Sequence, residues 1–74
     1  MKIRRVPLFY DKEQDRWCAD IDGCSYGLHC GEVFRLHIGK QGFDCRLEMD
    51  TSWYIITEGG RFTLREHQRY LVSL

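Results

Sequence analysis

The sequence has one proline, no long apolar segment and no net charge. No stretch approaches the about 18 apolar residues that suggest a transmembrane helix. Eleven basic residues balance eleven acidic ones, which argues against a nonspecific nucleic-acid binder and against a basic membrane-binding surface. The N-terminal segment becomes acidic before an apolar signal core could form. These absences favour a cytoplasmic protein that does not bind membranes.

Cysteine is present but lacks the spacing of a metal site. The four cysteines are Cys18, Cys24, Cys30 and Cys45. The chain has no C-x2-C pair, and the reducing cytosol favours free thiols. His29 precedes Cys30, but neighbours on an extended chain point to opposite faces, so we expect Leu28 and Cys30 to pack inward and His29 outward. We therefore expect no metal and no cofactor; a zinc- or thiol-dependent protein is a weaker alternative.

Composition and periodicity predict a single domain over residues 1–74. A hydrophobic content of 43% with ten aromatic side chains is enough for a small core. Apolar and polar residues alternate in short segments, which is the pattern of half-buried strands. These segments are residues 6–10, 16–22, 32–38, 44–50 and 53–58, and a last apolar segment covers residues 70–74.

The order of these segments predicts an SH3-like fold. It consists of a hairpin, a loop over residues 23–31, a three-stranded meander and a final strand, and closure into a barrel would remove most exposed sheet edges. Thr63 and Glu66 have capping-box spacing, so we expect a helical turn there, with one helix over residues 63–72 as the alternative. The prediction is a mainly all-β protein: a small SH3-like β-barrel of about five strands with one short helical turn near the C-terminus.

Three segments resemble a known group of proteins. GLHCGEVF, CRLEM and SWYII, in this order over residues 27–56, are similar to segments of a family of small uncharacterised bacterial proteins that mobile elements and phages often carry. That family has no assigned activity. The resemblance therefore implies only a context, which is a small accessory protein in a bacterial or phage cytoplasm. An inhibitor of a host defence system, of the anti-CRISPR type, is one function that fits this context.

Arginine and aromatic residues are the main functional candidates. The sequence contains no phosphate-binding glycine loop, metalloprotease motif or spaced pair of catalytic carboxylates, so we do not expect an enzyme. Arginine makes planar two-point contacts, and arginine, tryptophan and tyrosine are enriched in protein interfaces. The first hypothesis is a module that binds a protein partner. Its candidate residues are Arg35, Arg46, Trp53 and Tyr54.

The second hypothesis is a nucleic-acid-binding face. Arg61, Arg65 and Arg69 recur every four residues and would share one stripe if that segment were helical. Arg4 and Arg5 would join them if the termini of the barrel lie close together. An edge strand at residues 6–10 could pair with its own copy, so the sequence is consistent with a monomer and with a homodimer.

Overall fold

The protein forms one antiparallel sheet of eight strands. A computed structural model describes residues 5–74, and this part of the chain contains no helix. The strands are β1 Arg5–Asp11, β2 Arg16–Ile21, β3 Cys24–Gly27, β4 Val33–Ile38, β5 Gln41–Met49, β6 Trp53–Thr57, β7 Gly60–Phe62 and β8 Tyr70–Ser73. Their order across the sheet is β3-β2-β1-β8-β4-β5-β6-β7. The all-β prediction is confirmed.

Alternation along each strand separates two faces of the sheet. In β4, Phe34 and Leu36 are buried, whereas Val33 is 72% exposed. Residues that are directly paired across neighbouring strands share a face. We call the face with the buried side chains the inner face, and the opposite one the outer face.

The core forms where the two halves of the sheet face each other, as the hydrogen bond from Trp53 Nε1 on β6 to Asp15 O, next to β2, shows at 2.9 Å. Trp17 on β2 is 2% exposed, and its ring lies 5.5 Å from that of Tyr10 and 6.0 Å from that of Tyr70, measured between centroids. Strand β8 joins the halves, since it pairs with β1 on one side and β4 on the other. The buried cluster contains Val6, Leu8, Trp17, Ala19, Leu28, Phe34, Leu36, Cys45, Leu47, Ile55, Leu64 and Val72.

The prediction of a closed five-stranded barrel is wrong. The sheet has eight strands, and β3 and β7 are its two free edges. Neither edge strand shows an apolar alternation, because almost all of their residues are exposed. Strand β3 lies within the expected loop over residues 23–31, and β1 is not an edge, because it lies between β2 and β8.

The prediction of a helical turn after Thr63 is also wrong. Residues 65–68 form a turn in which Gln68 N donates to Arg65 O at 3.1 Å. Arg65 N donates to Tyr70 Oη at 2.9 Å, so a tertiary contact takes the place of helical hydrogen bonding. One helix over residues 63–72 is excluded as well, since its last residues belong to the central strand β8.

The segment from Leu28 to Gly31 only partly matches the expectation. Leu28 is buried and His29 is exposed, as predicted, but Cys30 is exposed rather than buried. The reason is a turn: residues 30–31 leave the extended conformation, and Gly31 has a φ of +87°. Strand alternation therefore does not reach Cys30.

Gly31→Ala is expected to lower the free energy of unfolding by about 1–2 kcal/mol, because an L-residue is strained in the left-handed region. A Cβ at this position would meet no atom within 4 Å, so the cost comes from the backbone alone. Urea denaturation measures it. Gly59→Ala is the matched control, since its Cβ would meet only Thr57 Oγ1 at 3.8 Å and its φ is not in the left-handed region. Equal effects of the two substitutions would contradict a left-handed backbone conformation at Gly31.

Candidate functional site

Five arginines that are distant in sequence lie on the outer face. Arg5 and Arg35 are both paired with Ser73, on opposite sides of β8. Arg46 is paired with Ile56, which is in turn paired with Arg61. The fifth arginine, Arg69, lies over the ring of Phe9 on β1. We call this set the arginine face; it consists of Arg5, Arg35, Arg46, Arg61 and Arg69.

The arginine face carries more positive than negative charge. Arg35 Nη1 lies 2.8 Å from Asp44 Oδ1, and Arg46 Nε lies 2.8 Å from Glu48 Oε2. Within residues 5–74, no ion pair with an acidic side chain is formed by the other three arginines of the face. The outward Asp11 accepts hydrogen bonds from Glu13 N and Gln14 Nε2 in its own turn. Two of the five guanidinium groups are therefore paired with carboxylates, and those of Arg5, Arg61 and Arg69 are not paired with an acidic side chain within residues 5–74.

Aromatic and aliphatic side chains lie among these arginines. The Arg61 guanidinium is 4.2 Å from the centroid of the Tyr54 ring, and that of Arg69 is 5.2 Å from the Phe9 ring. Both distances are in the range of cation–π contacts. Val33 is 72% exposed and Leu71 is 46% exposed, and both point outward. The face thus combines the residue types that protein interfaces favour.

A histidine and a serine form a hydrogen bond at the centre of the arginine face. His37 Nε2 lies 2.7 Å from Ser73 Oγ, and Ser73 is buried. The pKa of His37 is lowered by desolvation, and further by the positive charges of Arg5 and Arg35. The imidazole is therefore harder to protonate in the folded protein than in the unfolded chain. The hydrogen bond to Ser73 Oγ fixes the orientation of the His37 ring.

The lowered pKa of His37 makes stability depend on pH. Below pH about 6.5, His37 takes up a proton in the unfolded chain but not yet in the folded protein. The free energy of unfolding therefore decreases as the pH is lowered, until the pH reaches the pKa of His37 in the folded protein. His37→Asn is expected to flatten this part of the profile, as measured by urea midpoints between pH 7.5 and 5. His67→Asn, at an exposed turn position, serves as control. A profile that His37→Asn leaves unchanged would contradict the expectation.

The inner side of the sheet opens into an apolar cavity. It has a volume of 360 Å³ and lies where the β4–β5 hairpin faces β7. Ile38, Phe43 and Phe62 line its mouth and are partly exposed, while Leu36 and Ile55 form part of its buried wall. The cavity and the arginine face are therefore on opposite faces of the sheet.

All four cysteines are free thiols. Cys18 and Cys45 are buried, and burial raises the pKa of the Cys45 thiol. Cys24 and Cys30 are exposed. Across residues 5–74, no three His, Cys, Asp or Glu side chains are grouped so that they could hold a metal ion.

The described part of the chain has no helix that could cross a membrane.

Comparison with known proteins identifies the family. The sequence profile of a domain of unknown function, DUF5348, matches residues 6–74. The chain belongs to the DUF5348 family. The crystal structure of a protein from Ruminococcus gnavus is similar to it, with a TM-score of 0.78 and 33% sequence identity, covering 96% of this chain and 100% of that chain. Comparison with curated proteins gives no match.

In this DUF5348 protein, three of the four residues predicted to bind a protein lie on one face. Arg35, Arg46 and Tyr54 all point outward. Trp53 lies on the inner face, where its Nε1 donates to Asp15 O at 2.9 Å and its ring packs against the core. The structure therefore separates Trp53 from the other three.

The arginines of the nucleic-acid hypothesis are divided. Arg5, Arg61 and Arg69 belong to the arginine face of this DUF5348 protein, whereas Arg65 lies in the turn before β8. Arg4 lies outside the described residues. The expected helical stripe does not form, because the segment is not helical.

The sequence interpretation missed several outward residues of the DUF5348 fold. The alternation of Val33 and His37 with Phe34 and Leu36 places them on the same face as Arg35, although they are not among the predicted site residues. Leu71 gave no such signal, because its place on the face depends on β8 pairing with both β1 and β4.

Proposed function

We propose that this DUF5348 protein is a non-enzymatic interaction module that binds an acidic protein through the arginine face. The observation that carries the proposal is the convergence of five distant arginines on one face of the sheet. The sequential pairing of β4 to β7 brings Arg35, Arg46 and Arg61 together, and the pairing of β8 with β1 and β4 adds Arg5.

Exposed apolar side chains favour a protein as the partner. Val33 and Leu71 offer aliphatic surface that contributes to affinity when a partner covers it. The rings of Tyr54 and Phe9 support arginine side chains and limit their motion, which reduces the entropy lost on binding. Interface hot spots are enriched in arginine and tyrosine.

Two features favour a protein over a nucleic acid. The protein has no net charge and a pI of about 6.8, whereas nucleic-acid-binding domains are usually strongly basic. The guanidinium groups of Arg61 and Arg69 cover rings on which bases would otherwise stack.

Titrations with two kinds of probe test the proposal. The first is a labelled peptide rich in Asp and Glu that contains one Tyr and one Leu; the second is a set of DNA and RNA oligonucleotides. Fluorescence anisotropy at 0.15 M salt is expected to show saturable binding of the peptide. The control is the same peptide with Lys in place of every Glu. Binding of oligonucleotides without binding of the peptide would overturn the proposal in favour of the nucleic-acid hypothesis.

The biological setting is proposed from the sequence resemblance. It comprises a cytoplasmic location, a mobile-element or phage origin and inhibition of a host defence system. This proposal is tested by identifying the genes next to the one that encodes this protein. Defence, conjugation or phage genes would support it, and neighbouring genes of metabolism alone would count against it.

A further inference from the structure

The apolar cavity on the inner face, here called the inner cavity, has the size of a small-molecule site. Its volume of 360 Å³ lies within the range of about 300–1,000 Å³ that is usual for ligand pockets. An apolar cavity of about 150 Å³ is large enough to hold one benzene molecule. By this measure, the inner cavity has room for a bicyclic molecule of roughly 10–14 non-hydrogen atoms.

The floor of the inner cavity is a fixed apolar surface. It contains Leu36 on β4, Ile55 on β6 and Leu64 in the segment that follows β7, and all three are buried. These side chains belong to the core cluster, so the packing that stabilises the fold also holds them in place. A ligand would therefore bind a preformed surface, which lowers the entropy lost on binding.

The mouth of the inner cavity exposes apolar side chains that a ligand would cover. Ile38 is 54% exposed, Phe43 38% and Phe62 53%. At about 200 Å² per side chain, these three offer roughly 300 Å² of exposed surface. A stable protein interface needs about 800 Å² from each partner. The mouth is therefore large enough for a small molecule and too small for a stable interface with a second copy of the chain.

The lining of the inner cavity favours a neutral aromatic ligand. Of the described residues that line it, none is charged, and the polar side chains of Thr57, Thr63 and Tyr70 carry neutral hydroxyl groups. A carboxylate or ammonium group would lose hydration here without gaining a counter-ion. Aromatic rings pack well against other rings, and the mouth supplies two of them, Phe43 and Phe62.

We propose that the inner cavity binds a neutral bicyclic aromatic molecule of about the size of naphthol or indole. The ligand packs against the rings of Phe43 and Phe62 at the mouth and reaches the floor at Leu36 and Ile55. This site goes beyond the proposed function, because the inner cavity and the arginine face lie on opposite faces of the sheet.

Titration of the ¹⁵N-labelled protein with 2-naphthol, a neutral bicyclic phenol, tests the site by NMR. Saturable shifts are expected at the amides of Ile38, Phe43 and Phe62, with a dissociation constant below about 1 mM. The matched probe is 2-naphthoate, which has the same rings and a carboxylate. It is expected to bind at least about tenfold more weakly, because its charge loses hydration in the cavity. Equal affinities for the two probes would overturn the inference.

Phe62→Ala is expected to weaken binding of 2-naphthol about fivefold or more, because it removes one ring from the mouth. The matched control is Tyr26→Ala. Tyr26 is 52% exposed on β3, the other free edge strand, and does not line the inner cavity, so the affinity is expected to stay unchanged. Thermal melts check that the variants are folded, and Phe43→Ala, with the same expected loss, replaces Phe62→Ala if that variant does not fold. Equal effects of the ring removal at the mouth and of Tyr26→Ala would overturn the inference.

The remaining outcomes identify other occupants, and each would overturn the inference. Tighter binding of octan-1-ol than of 2-naphthol would show a site for an aliphatic chain. Shifts at the mouth on concentrating the free protein would show that a second copy covers it. Shifts that do not saturate, or that centre on the arginine face, would show that 2-naphthol has no site in the cavity. Binding of the acidic peptide is measured on the opposite face, so the proposed function stands or fails separately.

Discussion

Trp17→Ala is expected to unfold the protein. The ring is 2% exposed and packs in the core beside those of Tyr10 and Tyr70, so its removal leaves a large cavity. Truncating a buried tryptophan costs about 3–5 kcal/mol. At about 0.05–0.15 kcal/mol per residue, a domain of this size has a total stability of about 4–11 kcal/mol. The loss is therefore comparable to the whole stability.

Circular dichroism, NMR dispersion and urea unfolding measure the effect of Trp17→Ala. The control is Val33→Ala, at an aliphatic position that is 72% exposed, and a change within about 0.5 kcal/mol is expected for it. A dispersed spectrum and a urea midpoint near that of the wild type for Trp17→Ala would contradict the described core.

The double substitution Arg46→Glu/Arg61→Glu is expected to weaken binding of the acidic peptide by at least about tenfold, because attraction is replaced by repulsion at two points of the face. Both side chains are exposed, and Arg46 is 53% exposed in its pair with Glu48. The fold is therefore expected to survive. Anisotropy measures the affinity, and a thermal melt confirms that the variant is folded.

The matched control is Lys12→Glu/Lys40→Glu. It changes the net charge by the same amount, but both lysines are exposed in turns between strands rather than on the arginine face. This variant is expected to keep most of the affinity. If the two double variants lose affinity equally, binding depends on total charge and the arginine face is not the site.

Local alternation predicted the meander well and the rest of the sheet poorly. The strict pattern around Phe34 and Leu36, and again around Leu47, correctly placed β4 and β5 and their faces, and the apolar segment at residues 53–58 correctly placed β6 without assigning its faces. Strands β3 and β7 left no pattern, because edge strands with exposed side chains are held mainly by backbone hydrogen bonds. The central place of β8 was not predictable either, since it depends on pairing with two strands that are distant in the sequence.

The candidate site shows the same division. Arg35 and Arg46 were correctly placed together, since both lie in well-patterned strands. Trp53 and Tyr54 are neighbours on one strand, so only one of them can point outward, and residue type gave no reason to choose between them. Arg65 was grouped with Arg61 and Arg69 on the assumption that this segment is helical. The segment is not helical, and Arg65 N donates to Tyr70 Oη instead.

The most direct test of the central claim is an NMR map of the ¹⁵N-labelled protein with the bound acidic peptide. Large shifts are expected at outward residues of neighbouring strands: Val33, Arg35, Arg46, Tyr54 and Leu71. Residues around the inner cavity, such as Phe43 and Phe62, are expected to shift little. Shifts centred on the cavity, or no saturable shifts at all, would contradict the claim that the arginine face binds an acidic protein.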